Sequence, residues 1–203
     1  MLQQGLKDIY YLLMRPASVV LKPIYSWRFS RRPKPYRLHV GCGKNYLPGF
    51  VNIDGNVLRS VDCILDIRAG LPFPDGTVSF IYSCHMLEHV PVYDAIKILR
   101  EWKRVLVPGG YARLTLPDFN HVFEILSGHA TCDFPRSFRT KQGQAINFLF
   151  CDSQHKYGYS FELVQEVATD VGFSRVERGN VGHDAVAGVL DEPAGSFVAN
   201  LYA

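Results

Sequence analysis

The run from Tyr36 to Asp66, YRLHVGCGKNYLPGFVNIDGNVLRSVDCILD, decides the fold. YRLHV is a short apolar segment stopped by Gly41, FVNID is a second ending at Asp54, and VDCILD is a third ending at Asp66. Each has the length and residue types of a buried strand and is bounded by turn formers. Gly41 and Gly43, on either side of Cys42, let the backbone turn sharply and come close to a ligand. Asp54, directly after the second segment, suits paired hydrogen bonds to the two hydroxyls of a ribose; a turn aspartate is the alternative. Asp66, followed by apolar Ile67, suits an adenine amino group and ring; a capping aspartate is the alternative. A dinucleotide fingerprint needs a third glycine at position 46, and the chain has Tyr46 there, which disfavours an NAD-dependent oxidoreductase.

Downstream, the alternation continues. TVSFIYS (Thr77 to Ser83) follows a Pro-Asp-Gly turn and reads as a fourth strand. A helix is expected from about Val92, with Ile96, Leu99, Trp102 and Leu106 on one face, stopped by Pro108-Gly109-Gly110. YARLTL (Tyr111 to Leu116) is a fifth strand, and Phe119 to Tyr159 is irregular and aromatic-rich. Ser160 can cap a helix that turns Phe161, Val164, Ala168 and Val171 to the core and ends at Gly172. SRVER and SFVANLY are late strands. Strands alternating with helices imply an α/β fold, a mainly parallel sheet covered by helices on both faces, with ligands beyond the carboxyl ends of the strands.

Upstream lies an arm. Leu2, Leu6, Ile9, Tyr10 and Leu13 approximate a helical stripe that Pro16 ends or kinks; a second apolar patch runs from Val19 to Phe29; RRPKPYR (Arg31 to Arg37) reads as a linker. The chain of 203 residues has a net charge of +3, but the part up to Arg37 carries eight Lys and Arg against Asp8 alone, and the remainder is acidic by four charges. Nucleic acid is therefore not an expected partner of the body, and an anionic partner should meet the arm. With 47% hydrophobic residues the chain can bury a core. It shows neither a membrane-spanning run nor a secretory signal, and its five scattered cysteines suit a reducing cytoplasm. The division expected is an arm over residues 1–35 and one domain over 36–203.

Three stretches, LHVGCGKNYLPGFVNIDG, DCILDIRAGLPFPDGTVSFIYSCHMLEHV and LREWKRVLVPGGYARLTLPDF, together resemble the class I S-adenosylmethionine-dependent methyltransferases. They are most similar to the small predicted methyltransferases associated with glycan and polysaccharide biosynthesis. The likeness is specific from about Arg37 to Asp118 and weaker through QHKYGYSFELVQEVATDVGFSRVER and DEPAGSFVANLYA. It implies a Rossmann-like, seven-stranded sheet whose last strand is antiparallel. It also implies that Gly41, Cys42 and Gly43 pass under the methionine part of S-adenosyl-L-methionine, that Asp54 holds the ribose, and that Asp66 and Ile67 flank the adenine. Ser83, Cys84 and His85 would line the methyl-donor end. Only 11 positions separate Gly43 from Asp54, too few for a full helix at about 1.5 Å per residue, so that crossover should be a loop.

Methyl transfer to oxygen calls for a general base, and the candidates are His155, His85, Asp118 and His121. Asp118 can equally cap the next helix. His85-Met86-Leu87-Glu88-His89 has the H-x-x-E-H spacing of a zinc site, but it leaves a buried strand, so no metal is expected and Glu88 and His89 should fix the loop beside the cofactor. The expected activity is methyl transfer from S-adenosyl-L-methionine to a hydroxyl or carboxyl of a small-molecule or glycan acceptor. The alternatives are a cofactor-binding pseudoenzyme that serves as a partner subunit, and a peripheral membrane-binding module whose arm, residues 1–35, is the working part.

Overall fold

A computed structural model describes residues 4–203. Its main elements are α1 (Gln4–Ser30), β1 (Tyr36–Val40), β2 (Val51–Asp54), β3 (Cys63–Ile64), β4 (Val78–Cys84), α2 (Val92–Val105), β5 (Leu106–Pro117), α3 (His121–Ser127), α4 (Lys141–Phe150), α5 (Phe161–Val171), β6 (Arg175–Arg178), β7 (His183–Asp184), β8 (Gly188–Val189) and β9 (Ser196–Tyr202). Single 3₁₀ turns follow β3 (Ile67–Ala69) and β4 (Leu87–His89). Seven strands form one sheet in the order β3-β2-β1-β4-β5-β9-β6, and β7 and β8 form a separate hairpin. Neighbours from β3 to β5 are parallel, while β9 runs antiparallel to both β5 and β6, as expected for the last strand. The strand order reverses between β1 and β4, where such a sheet opens a crevice.

The helical cover is lopsided. Phe29 of α1, Trp102 of α2 and Ala168 of α5 join one buried cluster with Leu38, Ile53, Ile81 and Leu114. Phe80 and Tyr82, on the other face of β4, pack instead against Phe50 and Leu190, which lie outside helices. The short crossovers explain this. No helix fits between β1 and β2, and Asn52 pins the loop there by accepting from the Leu47 amide (2.9 Å) and donating to the Leu47 carbonyl (2.9 Å).

The arm departs from expectation. It is one helix of 27 residues, about 40 Å long, that passes through Pro16 and Pro23. Leu2, expected at the start of its apolar stripe, lies outside the described residues. Both prolines face solvent, where water can satisfy the carbonyls they leave free. The cost of an interior proline, about 3 kcal/mol, is met by packing: Phe29 is buried and stacks on Phe73 at 5.3 Å. The Ile64 amide donates to Tyr25 Oη (3.1 Å), and the Asp66 amide donates to buried Ser18 Oγ (2.9 Å).

Other boundaries move for local reasons. Helix α2 ends at Val105, before Pro108-Gly109-Gly110, because Leu106 is already paired with Val78; the glycines form a bulge inside β5. Of VDCILD only Cys63 and Ile64 pair, at the sheet edge. The segment Phe119 to Tyr159 is not irregular throughout. It holds α3 and α4, which pack on each other through Val122, Ile125 and Ala145, with Thr140 capping α4 at the Gly143 amide (3.1 Å). Helix α5 is as expected, capped by Ser160 at the Leu163 amide (3.3 Å) and closed by Gly172 at φ +102°.

Candidate active site

The carboxyl ends of β1, β2 and β4 bring the expected residues to one edge. Gly41 leaves β1 at φ +71°, and a Cβ there would sit 2.4 Å from Met86 Cγ, so the position requires glycine on two counts. Gly43, at φ +54°, has open space where its Cβ would be. Its amide donates to Asp54 Oδ2 (2.8 Å), and the Asn56 amide donates to Oδ1 (2.8 Å). The carboxylate thus ties the glycine loop to the end of β2, and each oxygen keeps a lone pair for a further donor. Cys42 between the glycines is buried, and burial pushes its thiol up to about 12, so it packs rather than reacts.

The arm reaches this edge. Tyr10 Oη donates to the Gly55 carbonyl (2.5 Å), and a Cβ on Gly55 would meet the Tyr11 ring at 2.7 Å. Burial, then the nearby Asp54, pushes the Tyr11 phenol up to about 12. Tyr10 had a place on the apolar stripe, and no sequence signal singled out Tyr11. Asp66 has the capping arrangement: it accepts from the Arg68 amide (3.0 Å) and pairs with the Arg68 guanidinium at 2.6 Å. Ile67 begins the 3₁₀ turn beside it.

At the end of β4, Ser83 is fully buried and Cys84 half-buried, its thiol pushed up to about 12 by burial. His85 takes φ +49° and is not on a helix, so the H-x-x-E-H spacing does not put its two histidines on one helical face. Its Nε2 lies 2.7 Å from Ser196 Oγ and its Nδ1 3.4 Å from Glu88 Oε1. Burial, aided by His155 and His89, holds this imidazole down at about 4, hence neutral. Burial pushes the Glu88 carboxyl up to about 8.

His155 is brought to the same place from a distant loop. The Lys156 and Tyr157 amides donate to the Glu88 carbonyl (2.7 and 3.3 Å), and His155 Nε2 lies 4.0 Å from Glu88 Oε1. His155 Nδ1 pairs with the Leu149 carbonyl at 2.8 Å. A carbonyl only accepts, so Nδ1 carries the proton and Nε2 presents a lone pair. No metal cluster was expected, yet the ligand atoms of Glu88, His89 and His155 lie within 4.8 Å of one another. Asp118 is engaged in a turn: its Oδ1 accepts from the Asn120 amide (2.9 Å) where α3 opens. His121 pairs with Glu124 at 2.5 Å on α3.

A buried ion pair, invisible in the sequence, props up one side of the site. Arg113 of β5 donates to both oxygens of Glu192 (3.0 and 2.7 Å), which also accept from Thr115 (2.6 Å) and the Gly182 amide (2.7 Å). This holds the segment that leads into Ser196 and so to His85.

Residues 52–114 match the profile of the methyltransferase-domain family. No curated protein matches the sequence. Among solved structures, the chain is similar to a SAM-dependent methyltransferase from Archaeoglobus fulgidus (12% identity, 96% of this chain and 100% of that one, TM-score 0.56). It is also similar to one from Thermotoga maritima described as a possible histamine N-methyltransferase (14%, 97% and 94%, TM-score 0.51) and to one from Methanosarcina mazei (16%, 84% and 93%, TM-score 0.51). The fold is the Rossmann-like fold of S-adenosylmethionine-dependent methyltransferases. The profile match covers less than half of the chain, and the likeness to the solved structures is one of fold.

Proposed function

We propose that this protein transfers a methyl group from S-adenosyl-L-methionine to an oxygen of a small-molecule or glycan acceptor. The observation that carries the reading is the cradle at the β1–β4 switch point: Gly41 and Gly43 in the left-handed region, tied to Asp54 through the Gly43 amide. That cradle fits the cofactor, because two glycines leave the backbone bare and Asp54 keeps lone pairs for ribose hydroxyls. In this reading Gly41, Cys42 and Gly43 lie under the methionine, Asp54 holds the ribose, and Ile67 and Asp66 border the adenine, with Arg68 neutralising the Asp66 charge. When bound, the cofactor supplies a methyl carbon already activated by its sulfonium.

The chain's own residues position the acceptor and take its proton. Ser83, Cys84 and His85 form the wall at the donor end. His155, whose Nε2 lone pair faces buried Glu88, suits proton removal better than Asp118, whose carboxylate is engaged in a turn. The test is a labelled-methyl transfer screen over fractions of cell extract. Transfer to an acceptor whose methyl is released by ether or ester cleavage supports the reading, and transfer only to nitrogen or sulfur contradicts the oxygen assignment.

A second reading concerns the arm. Along α1 an arc of about 140° at 100° per residue carries Leu6, Ile9, Leu12, Leu13, Val19, Val20, Ile24 and Trp27, all exposed. No Asp, Glu, Lys or Arg falls in it, and Arg28, Arg31, Arg32 and Lys34 follow at the end of the helix. An apolar arc with cations beside it complements an anionic membrane surface. It opposes pairing with a second equally basic arm. Among the described residues no helix is long and apolar enough to cross a membrane. We place the protein in the cytoplasm, on the support of its five unpaired cysteines, with this arm against the membrane.

A further inference from the structure

Glu88 is 1% exposed, and neither oxygen of its carboxylate receives a hydrogen bond. An isolated buried carboxylate costs several kcal/mol, so such a group ordinarily has a cationic partner or a full set of donors. The groups around it do not meet that need. His85 Nδ1 and His155 Nε2 stand 3.4 and 4.0 Å from Oε1, too far or too poorly aimed for hydrogen bonds. The His89 and His155 rings meet edge to face with centroids 5.0 Å apart.

The outer nitrogens of these rings are already fastened. His89 Nδ1 pairs with the Gln154 carbonyl (3.1 Å), as His155 Nδ1 pairs with the Leu149 carbonyl (2.8 Å). Both carbonyls must accept, so both Nε2 atoms carry lone pairs. A carbonyl holding the far N–H of a histidine is the usual support behind a metal-ligating imidazole.

We propose that Glu88, His89 and His155 bind a divalent first-row transition-metal ion, and that this ion holds the acceptor oxygen beside the donor end of the cofactor site. Two imidazoles and one carboxylate suit zinc, manganese or cobalt and do not suit magnesium or calcium, which prefer all-oxygen shells. The ligand atoms, within 4.8 Å of one another, draw together to about 3.4 Å in a tetrahedral site with bonds of about 2.0–2.2 Å. Three protein ligands leave a position open for the acceptor. A hydroxyl bound there has its pKa lowered and gives its proton to water, so the metal takes over the work of a general base. No other bond is made or broken by this step.

The inference rests on the methyl-transfer reading for its purpose but not for its test. Protein freed of metal with a chelator is titrated with Co²⁺ by visible absorption and with Zn²⁺ by calorimetry, and S-adenosylmethionine binding is measured on the same samples. The expected result is one site per chain, a visible cobalt band, and a rise in Tm with Zn²⁺. Glu88→Gln and His155→Ala should each weaken metal binding at least tenfold, with His129→Ala, away from the cluster, unchanged. Glu88→Gln should also melt no lower than the wild type in chelator, since it removes a buried carboxyl that has no hydrogen-bond partner, and should gain nothing from Zn²⁺. Absence of a site in folded wild-type protein, or undiminished, wild-type metal affinity in Glu88→Gln and His155→Ala, would overturn the proposal. Nucleoside binding without metal binding refutes the metal site and leaves the methyltransferase reading standing; metal binding without nucleoside binding does the reverse.

Discussion

Replacing Glu192 with alanine tests how the site is held from behind. The carboxylate has no exposed side-chain surface, and its partner Arg113 has 1%. The change strands the guanidinium in the interior, along with the Thr115 hydroxyl and the Gly182 amide that donated to the same carboxylate. Breaking a buried pair by removing one partner costs about 3–5 kcal/mol. Asp184, 3.7 Å from Arg113, softens the loss and favours the lower end. For a chain of this size about 2–4 °C of Tm is lost per kcal/mol, so Tm should fall by roughly 6–15 °C. The assay is thermal and urea unfolding of wild type, Glu192→Ala, Arg113→Met and the double variant. The double variant should recover much of the loss, because two apolar groups replace the pair. Acid behaviour gives a second check. Burial alone pushes the Glu192 carboxyl up, but its hydrogen bonds from Arg113, Thr115 and Gly182 outweigh that and hold it below the usual range. A lowered folded pKa means stability present above the ordinary carboxylate range and lost as pH falls through it, so the wild type should lose stability below about pH 4.5 more steeply than Glu192→Ala. A loss under about 1 kcal/mol, or a double variant no better than the worse single one, would refute the reasoning.

Other outcomes follow from the same geometry. Gly41→Ala drives a Cβ to 2.4 Å from Met86 Cγ at φ +71°; cofactor affinity should drop at least tenfold by calorimetry, and adding Met86→Ala should restore only the steric part. Val20→Asp with Trp27→Glu, at positions 73% and 61% exposed, should abolish sedimentation with anionic vesicles without changing Tm. Deleting α1 should instead destabilise the protein, because it uncovers the buried surface under Phe29, and equal stability of the deletion, by urea unfolding, would show that the packing is misjudged.

The parts of the fold written in local pattern were legible from the sequence. YRLHV, TVSFIYS and SFVANLY form strands, Ser160 and Gly172 delimit α5, and the crossover from Gly43 to Asp54 is a loop, as the spacing implied. What stayed hidden depends on distant partners. Pro16 and Pro23 signal a break, and only the packing of Phe29, Tyr25 and Ser18 on the body overrides them. Helices α3 and α4 expose Phe123, Ile146 and Phe150 while burying Val122, Ile125 and Ala145, so their apolar residues show no single stripe. Arg113 and Glu192 are 79 positions apart, and no local rule pairs them. The H-x-x-E-H stretch suggested helical spacing, whereas the fold turns His85 aside at φ +49° and supplies His155 from a distant loop.

The most direct measurement is calorimetric titration of S-adenosylmethionine and S-adenosylhomocysteine into the wild type and Asp54→Ala, with NAD as a control. Loss of a carboxylate that holds two hydroxyls removes about 1.5–3 kcal/mol, or roughly 10- to 150-fold in affinity. The account predicts that the wild type binds both sulfur nucleosides and not NAD, and that Asp54→Ala keeps its fold while losing that factor. Failure of the folded wild type to bind either nucleoside, or undiminished binding by Asp54→Ala, would contradict it.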